Sequence, residues 1–126
     1  MQVVEGYKAL RVYQMSFHLI MEIFEVTKHL PAEERFLLTT QIQRSSRSVC
    51  ANIVEAYRVR SYPKHFRLKL NISDGEIHET SFWLELAFRS KYIDQPTFTN
   101  LSTKAKAIGA MLASMMNNPE KFAPKK

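Results

Sequence analysis

Glycine and cysteine are nearly absent from this chain: three glycines and one cysteine among 126 residues, with five prolines. A β-rich or loop-rich fold needs turn chemistry at roughly every tenth position, and so little glycine and proline excludes one. A single thiol, Cys50, cannot close an internal disulfide, so nothing calls for an oxidising compartment. No stretch approaches the ~18 consecutive apolar residues of a membrane span. The opening MQVVEGYKAL lacks the basic start and apolar run of a signal peptide. The expected address is the cytoplasm, with no membrane partner. An apolar fraction of 45% is that of an ordinary globular protein and supports one core in a single domain, 1–126.

What is present is helical periodicity. The first stretch, about Tyr7 to His29, repeats Leu10, Tyr13, Phe17, Ile20 and Phe24 at alternating spacings of three and four, which predicts one buried stripe. Leu30-Pro31 breaks it, and Pro31 suits the first turn of the next helix, with Glu33 and Glu34 near its positive end. The second, about Ala32 to Val59, has the stripe Leu38, Ile42, Ser45, Val49, Asn52 (or Ile53) and Ala56. Its small members allow close helix approach, and a buried Asn52 would fix register. After Ser61-Tyr62-Pro63, the third stretch runs to about Tyr92 with the stripe Phe66, Leu70, Ser73, Ile77, Thr80, Leu84 and Ala87. Gly75 sits inside it; a mid-helix glycine costs about 1 kcal/mol against alanine, and a closely packed neighbour would compensate. After Asp94-Gln95-Pro96 the fourth, about Pro96 to Asn117, carries Phe98, Leu101, Ala105, Ile108, Leu112 and Met115. The tail 118–126 is expected to fray. Long helices joined by short turns fold back on one another, so the fold class is all-α: an antiparallel up-down-up-down four-helix bundle with helices near 7–29, 32–59, 63–92 and 96–117.

Bundle cores often hold paired metals, which want Glu-x-x-His on two helices. No such pair exists here: Glu55 is followed three positions on by Arg58, and Glu76 by Glu79. The four histidines, His18, His29, His65 and His78, are scattered, and Cys50 has no histidine close in sequence. There is no glycine-rich phosphate loop and no paired-cysteine motif. No catalytic residue, metal or cofactor is expected. If an enzyme were hidden here, Glu55, Glu76 and Glu79 would be its best acids.

Charge is concentrated. Of 18 basic and 12 acidic residues, seven basic ones (Arg44, Arg47, Arg58, Arg60, Lys64, Arg67, Lys69) and one acid (Glu55) lie between Arg44 and Lys69, leaving eleven of each elsewhere; this segment carries the whole net charge of +6. Such a field draws polyanions. Two uses compete. In one, Arg44 or Arg47 pairs with Glu55, Glu76 or Glu79, and Gln41 and Asn52 complete a structural polar cluster. In the other, the basic groups meet phosphates while Tyr57 and Tyr62 stack on bases. Arg58, Arg60, Lys64, Arg67 and Lys69, at the second turn, are the best phosphate contacts, with Arg47 beside them. Phe36, Phe82, Trp83 and Phe88 fall outside the stripes and favour a homo-oligomer.

These residues also carry a resemblance. Leu10-Arg11-Val12-Tyr13, the Leu30-Pro31 turn with Glu34, then Leu38, Gln41, Ile42, Arg44, Ser48-Val49 and Ala51-Asn52-Ile53-Val54-Glu55, and in the third helix Phe66, Leu70, Gly75, Ile77, Glu79, Leu84, Leu86 and Ala87, resemble the bacterial 23S rRNA intervening-sequence proteins over almost the whole chain. That family includes the accessory variability determinant of diversity-generating retroelements. Gln-Ile-x-Arg followed by Asn-Ile-x-Glu is the more specific part. This chain departs from the family pattern in having Ala56 where glycine usually follows the glutamate, and Glu76 where serine usually follows Gly75. The resemblance implies a left-handed bundle, a homopentameric ring with a basic surface, nucleic-acid binding (RNA or DNA), in some members beside a reverse transcriptase, and no catalysis. The runner-up is a protein-interaction scaffold whose basic end docks an acidic protein.

Overall fold

The computed structural model describes residues 6–125; the first five residues of the opening segment and the last residue of the tail lie outside the described residues. Four helices make the architecture: α1 (Arg11–Thr27), α2 (Leu38–Arg58), α3 (Pro63–Arg89) and α4 (Gln95–Asn117). Short 3-10 turns occupy Gly6–Ala9, Ala32–Glu34 and Pro119–Lys121. Contacts join α1 to α2, α2 to α3, α3 to α4 and α4 back to α1, with none across either diagonal, so the helices stand at the corners of a square. Pairs along each seam run in opposite senses. Glu55 meets Lys69 while Ser45 meets Thr80 across α2–α3. Phe66 meets Phe122 while Phe88 meets Phe98 across α3–α4, and Tyr7 meets Tyr57 while Thr27 meets Gln43 across α1–α2. Neighbours are therefore antiparallel: α1, α2, α3 and α4 run up, down, up and down.

The helix limits differ from the sequence expectation where the backbone is held by local bonds. The chain before Arg11 is a 3-10 turn, entered at Gly6 with φ of +67°, so α1 starts four residues later than periodicity suggests. Pro31 precedes a 3-10 turn rather than opening α2. The Glu34 carboxylate accepts from the Leu38 N–H at 3.3 Å and from the Tyr92 hydroxyl at 2.8 Å, and α2 begins only there. Pro63 and Pro96 do occupy first turns, where the missing N–H costs nothing. Asp94 caps α4 by accepting from the Thr97 N–H at 2.9 Å. At the other end of α3, Lys91 takes φ of +64° and Tyr92 N–H reaches back to Ala87 O at 2.9 Å, the wrap that ends a helix and turns the chain. The tail expected to fray is docked as far as Phe122, whose ring lies 5.8 Å from that of Phe66.

The buried stripe of α3 is the expected one residue for residue: Phe66, Leu70, Ser73, Ile77, Thr80, Leu84 and Ala87. In α4 only Phe98 departs, packing at the core edge. In α2 the stripe passes through Ile53, not Asn52, and gains Ser46 and Cys50. Asn52 bonds back to the Ser48 carbonyl at 2.9 Å within its own helix, so it sets no register between helices. That work falls to buried hydroxyls: Ser73 donates to Val49 O at 2.7 Å, and Thr80 Oγ1 lies 2.8 Å from Ser45 Oγ. An unpaired buried polar group costs stability, so pairing across a seam favours one register.

The expectation for α1 is corrected by the structure. Its buried residues are Val12, Ser16, Leu19, Ile23 and Thr27, while Phe17 is 47% exposed and Phe24 also faces out. α1 is apolar on two neighbouring stripes, and the inner one is the slimmer, which lets α2 and α4 close on it. Met21 joins Phe17 and Phe24 outside. A second outward stripe, Leu68, Ile72, Phe82 and Leu86, runs the length of α3. Gly75 lies on that line, and a Cβ built on it meets nothing within 4 Å, so no neighbour inside the bundle compensates for it. Because α1 and α3 are diagonal, these faces point to opposite sides. Phe36 is 82% exposed in the first connection. Phe88 is half-buried, stacked on Phe98 with centroids 4.5 Å apart, and Trp83 is half-buried too.

Candidate nucleic-acid interface

An antiparallel bundle gathers the start of α1, the end of α2, the start of α3 and the end of α4 at one end. Arg58 and Arg60 lie where α2 gives way to the turn, and Lys64, Arg67 and Lys69 on the first turns of α3. The fold adds four cations that the sequence segment did not reveal. Lys8 and Arg11 arrive with α1, tied to this end by the Tyr7–Tyr57 ring contact. Lys121 and Lys125 arrive with the tail that Phe122 docks. Glu55 and Glu120 are the acids among the described residues of this end. The opposite end, by contrast, mixes Glu25, Glu33, Glu34, Glu85 and Asp94 with Lys28, Arg35, Arg89 and Lys91. The charge is thus polarised along the bundle axis.

Not every predicted phosphate contact is equally available. Lys69 pairs with Glu55 at 3.1 Å. Arg60 donates to Tyr57 O at 3.0 Å and lays its guanidinium 3.9 Å over the Tyr57 ring. Arg58, Lys64 and Arg67 are exposed and form no ion pair among the described residues, and they project from both sides of the turn. Arg47 is exposed too, but sits midway along α2 beside a shallow hollow lined by Thr40, Gln43, Arg44, Ser48 and Ala51, away from the end.

The predicted polar cluster divides. Arg44, rather than Arg47, crosses to α3: it bonds Glu76 at 2.9 Å and also Glu79, while its Nε donates to Gln41 at 3.2 Å. The Trp83 indole N–H donates to the same Glu79 carboxylate at 3.0 Å. That indole bond first, and the guanidinium beside it, hold Glu79 below the usual carboxylate range against the opposing effect of desolvation. Arg44 is raised in turn, chiefly by its bond to Glu79. The cluster is not core: Arg44 is 46% exposed and Glu79 35%. It is a clamp on the outer α2–α3 seam, and it takes Arg44 out of the pool of free cations. Glu55 is not part of it, being drawn to Lys69, nor is Asn52.

Among the described residues no group of three or more His, Cys, Asp or Glu is placed to hold a metal ion. Cys50 is buried, and burial pushes its thiol up to about 11, so it is held protonated and unreactive. Among the described residues no helix is long and apolar enough to cross a membrane.

A four-helix bundle with a basic end and a clamped α2–α3 seam defines a class of small helical bundle proteins. Residues 8–114 match the model of the 23S rRNA-intervening sequence protein family, and the chain belongs to that family. It is similar to a crystal structure of a protein of unknown function from the S23 ribosomal protein family of Bacteroides thetaiotaomicron VPI-5482, at 34% identity and a TM-score of 0.76, covering 83% of this chain and 97% of that one. No curated protein matches it.

Proposed function

We propose that this chain is a non-enzymatic nucleic-acid-binding protein that works as a homo-oligomer. The observation that carries the reading is the axial polarisation of charge: among the described residues, nine basic side chains stand against two acids at one end, and Arg58, Lys64 and Arg67 form no ion pair there. A phosphate backbone is the ligand such a field suits, because each neutralised phosphate releases counterions and the binding becomes salt-dependent. The outward apolar stripes of α1 and α3 support the oligomer. Lone exposed apolar residues are ordinary, but rows of them on opposite sides of one small bundle mark contact surfaces. One α1-to-α3 contact between copies would cover both faces and propagate head to tail, which closes a ring when the rotation fits.

The test is a salt titration with structured RNA and DNA. Wild type binds with about micromolar or tighter affinity at low salt and weakens steeply as salt rises. A variant with Arg58→Glu, Lys64→Glu and Arg67→Glu loses that binding. No binding by wild type at low salt, or equal binding by the reversed variant, overturns the reading. Light scattering checks assembly: Phe17→Glu and Phe82→Glu each reduce the particle to a monomer, whereas a monomeric wild type at micromolar concentration refutes the oligomer.

A further inference from the structure

The tip of the basic end carries aromatic rings as well as cations, and the two tyrosines there are in different states. Tyr57 is occupied: Arg60 covers its ring at 3.9 Å and Tyr7 packs edge-on at 6.4 Å. Tyr62 is 63% exposed, contributes nothing to the core, and touches one ring, that of His65, at 6.0 Å and near a right angle. It is thereby steadied without being covered. Its backbone is extended (φ −116°, ψ 94°) immediately before Pro63, whose ring fixes the next φ, so the tyrosine stands on a stiff corner. No side chain caps the first turn of α3, which opens on Pro63.

We infer that this corner is a stacking platform for an unpaired nucleobase, with Tyr62 under the base and Arg58, Lys64 and Arg67 holding the flanking phosphates. The inference rests on the nucleic-acid reading above and adds the substrate class: single strands, loops or unpaired ends rather than continuous duplex. A base inside a duplex has both faces taken by its neighbours and offers a protein its backbone and groove edges. An unpaired base offers a bare face, and a steadied, exposed aromatic ring between cations is the group that face recognises. A continuous duplex would be served by the cations alone and would leave Tyr62 without a role.

The full-length protein is titrated with short single strands containing 2-aminopurine, as RNA and as DNA, and with the duplexes of the same sequences. Single strands bind more tightly than duplexes, and 2-aminopurine fluorescence is quenched on binding as the base stacks. Tyr62→Ala lowers single-strand affinity about tenfold, within the range for one base–aromatic stack, and abolishes the quench. It leaves duplex affinity, the salt slope and the oligomeric state unchanged. Tyr62→Phe keeps both affinity and quench, which separates stacking from hydroxyl chemistry. Either sugar meeting these conditions supports the inference. Equal binding of single strand and duplex with no effect of Tyr62→Ala overturns it while leaving the nucleic-acid reading intact, provided the charge-reversed variant still loses binding. A Tyr62→Ala protein with altered assembly also overturns it, by showing that the ring belongs to a subunit contact. No binding of any nucleic acid by wild type overturns both.

Discussion

Replacing Arg44 with methionine removes the guanidinium that joins α2 to Glu76 and Glu79 and keeps most of the aliphatic stem. The loss has two parts. Hydrogen bonds to charged groups contribute about 1.5–3 kcal/mol when shielded, whereas exposed ion pairs contribute about 0.2–1 kcal/mol. Arg44 is 46% exposed and Glu76 18%, so the pair lies between these limits. Solvent screening then brings the expectation to about 1–2 kcal/mol near neutral pH. For a chain of this length that is a fall in Tm of about 4–8 °C. The pH dependence has a definite sign. The folded protein holds Glu79 below its ordinary value, so the stabilisation is complete above the unfolded carboxylate pKa of about 4.3. It is lost as pH falls through the lower folded value. Urea unfolding of wild type and Arg44→Met therefore differs by the full amount near neutrality, and the gap closes progressively below about pH 4. Nucleic-acid affinity is unaffected, because this arginine is already spent on the seam. An equal loss at both pH extremes would assign the effect to stem packing, and no loss at neutrality would refute the clamp.

Three further outcomes follow from particular side chains. The Ser16 hydroxyl is buried without a hydrogen-bond partner among the described residues, so Ser16→Ala raises stability by up to about 1 kcal/mol in urea unfolding; a destabilised variant would reveal a hidden partner. Phe122→Ala removes a half-buried ring from Phe66 and the α1–α4 cleft. It lowers stability by about 1–2 kcal/mol, less than a fully buried phenylalanine would, and an unchanged midpoint would show that the tail does not dock. Cys50, buried with its thiol raised to about 11, stays unmodified by a thiol reagent at mildly alkaline pH and reacts fully once urea unfolds the chain; rapid labelling of the native protein contradicts the assigned burial.

The limits of the sequence are clearest in α1 and α3. In α3 a single row of apolar and small residues faces inward, and periodicity finds it without error. In α1 two rows compete, and the one with Tyr13, Phe17 and Phe24 has the greater hydrophobicity. Hydrophobicity favours that row, but the row the bundle buries is the slimmer one of Val12, Ser16, Leu19, Ile23 and Thr27, which fits the space left between α2 and α4 at interior packing density. The surplus aromatics outside then bear on assembly rather than on the core. Charge shows the same division. The cluster from Arg44 to Lys69 is plain in one dimension. Which cations Glu55, Glu76, Glu79 and Tyr57 claim depends on inter-helix and cap geometry that no spacing encodes. Lys8, Arg11, Lys121 and Lys125 join the basic end only because four helices return the chain to where it began.

That return has a practical side. Gly6 and the docked Phe122 lie at the same end of the bundle, beside the Arg58 to Arg67 surface. An affinity tag or fluorescent protein joined next to Gly6 or just after Phe122 sits beside that surface, and an acidic or bulky one would compete for it. Surface attachment through either of those positions would press the same end against the support. The connection between α1 and α2, around Glu33, lies a full helix length away and is exposed. A single cysteine placed there, in a chain whose own thiol is buried, gives a labelling handle that leaves the basic end open to solution.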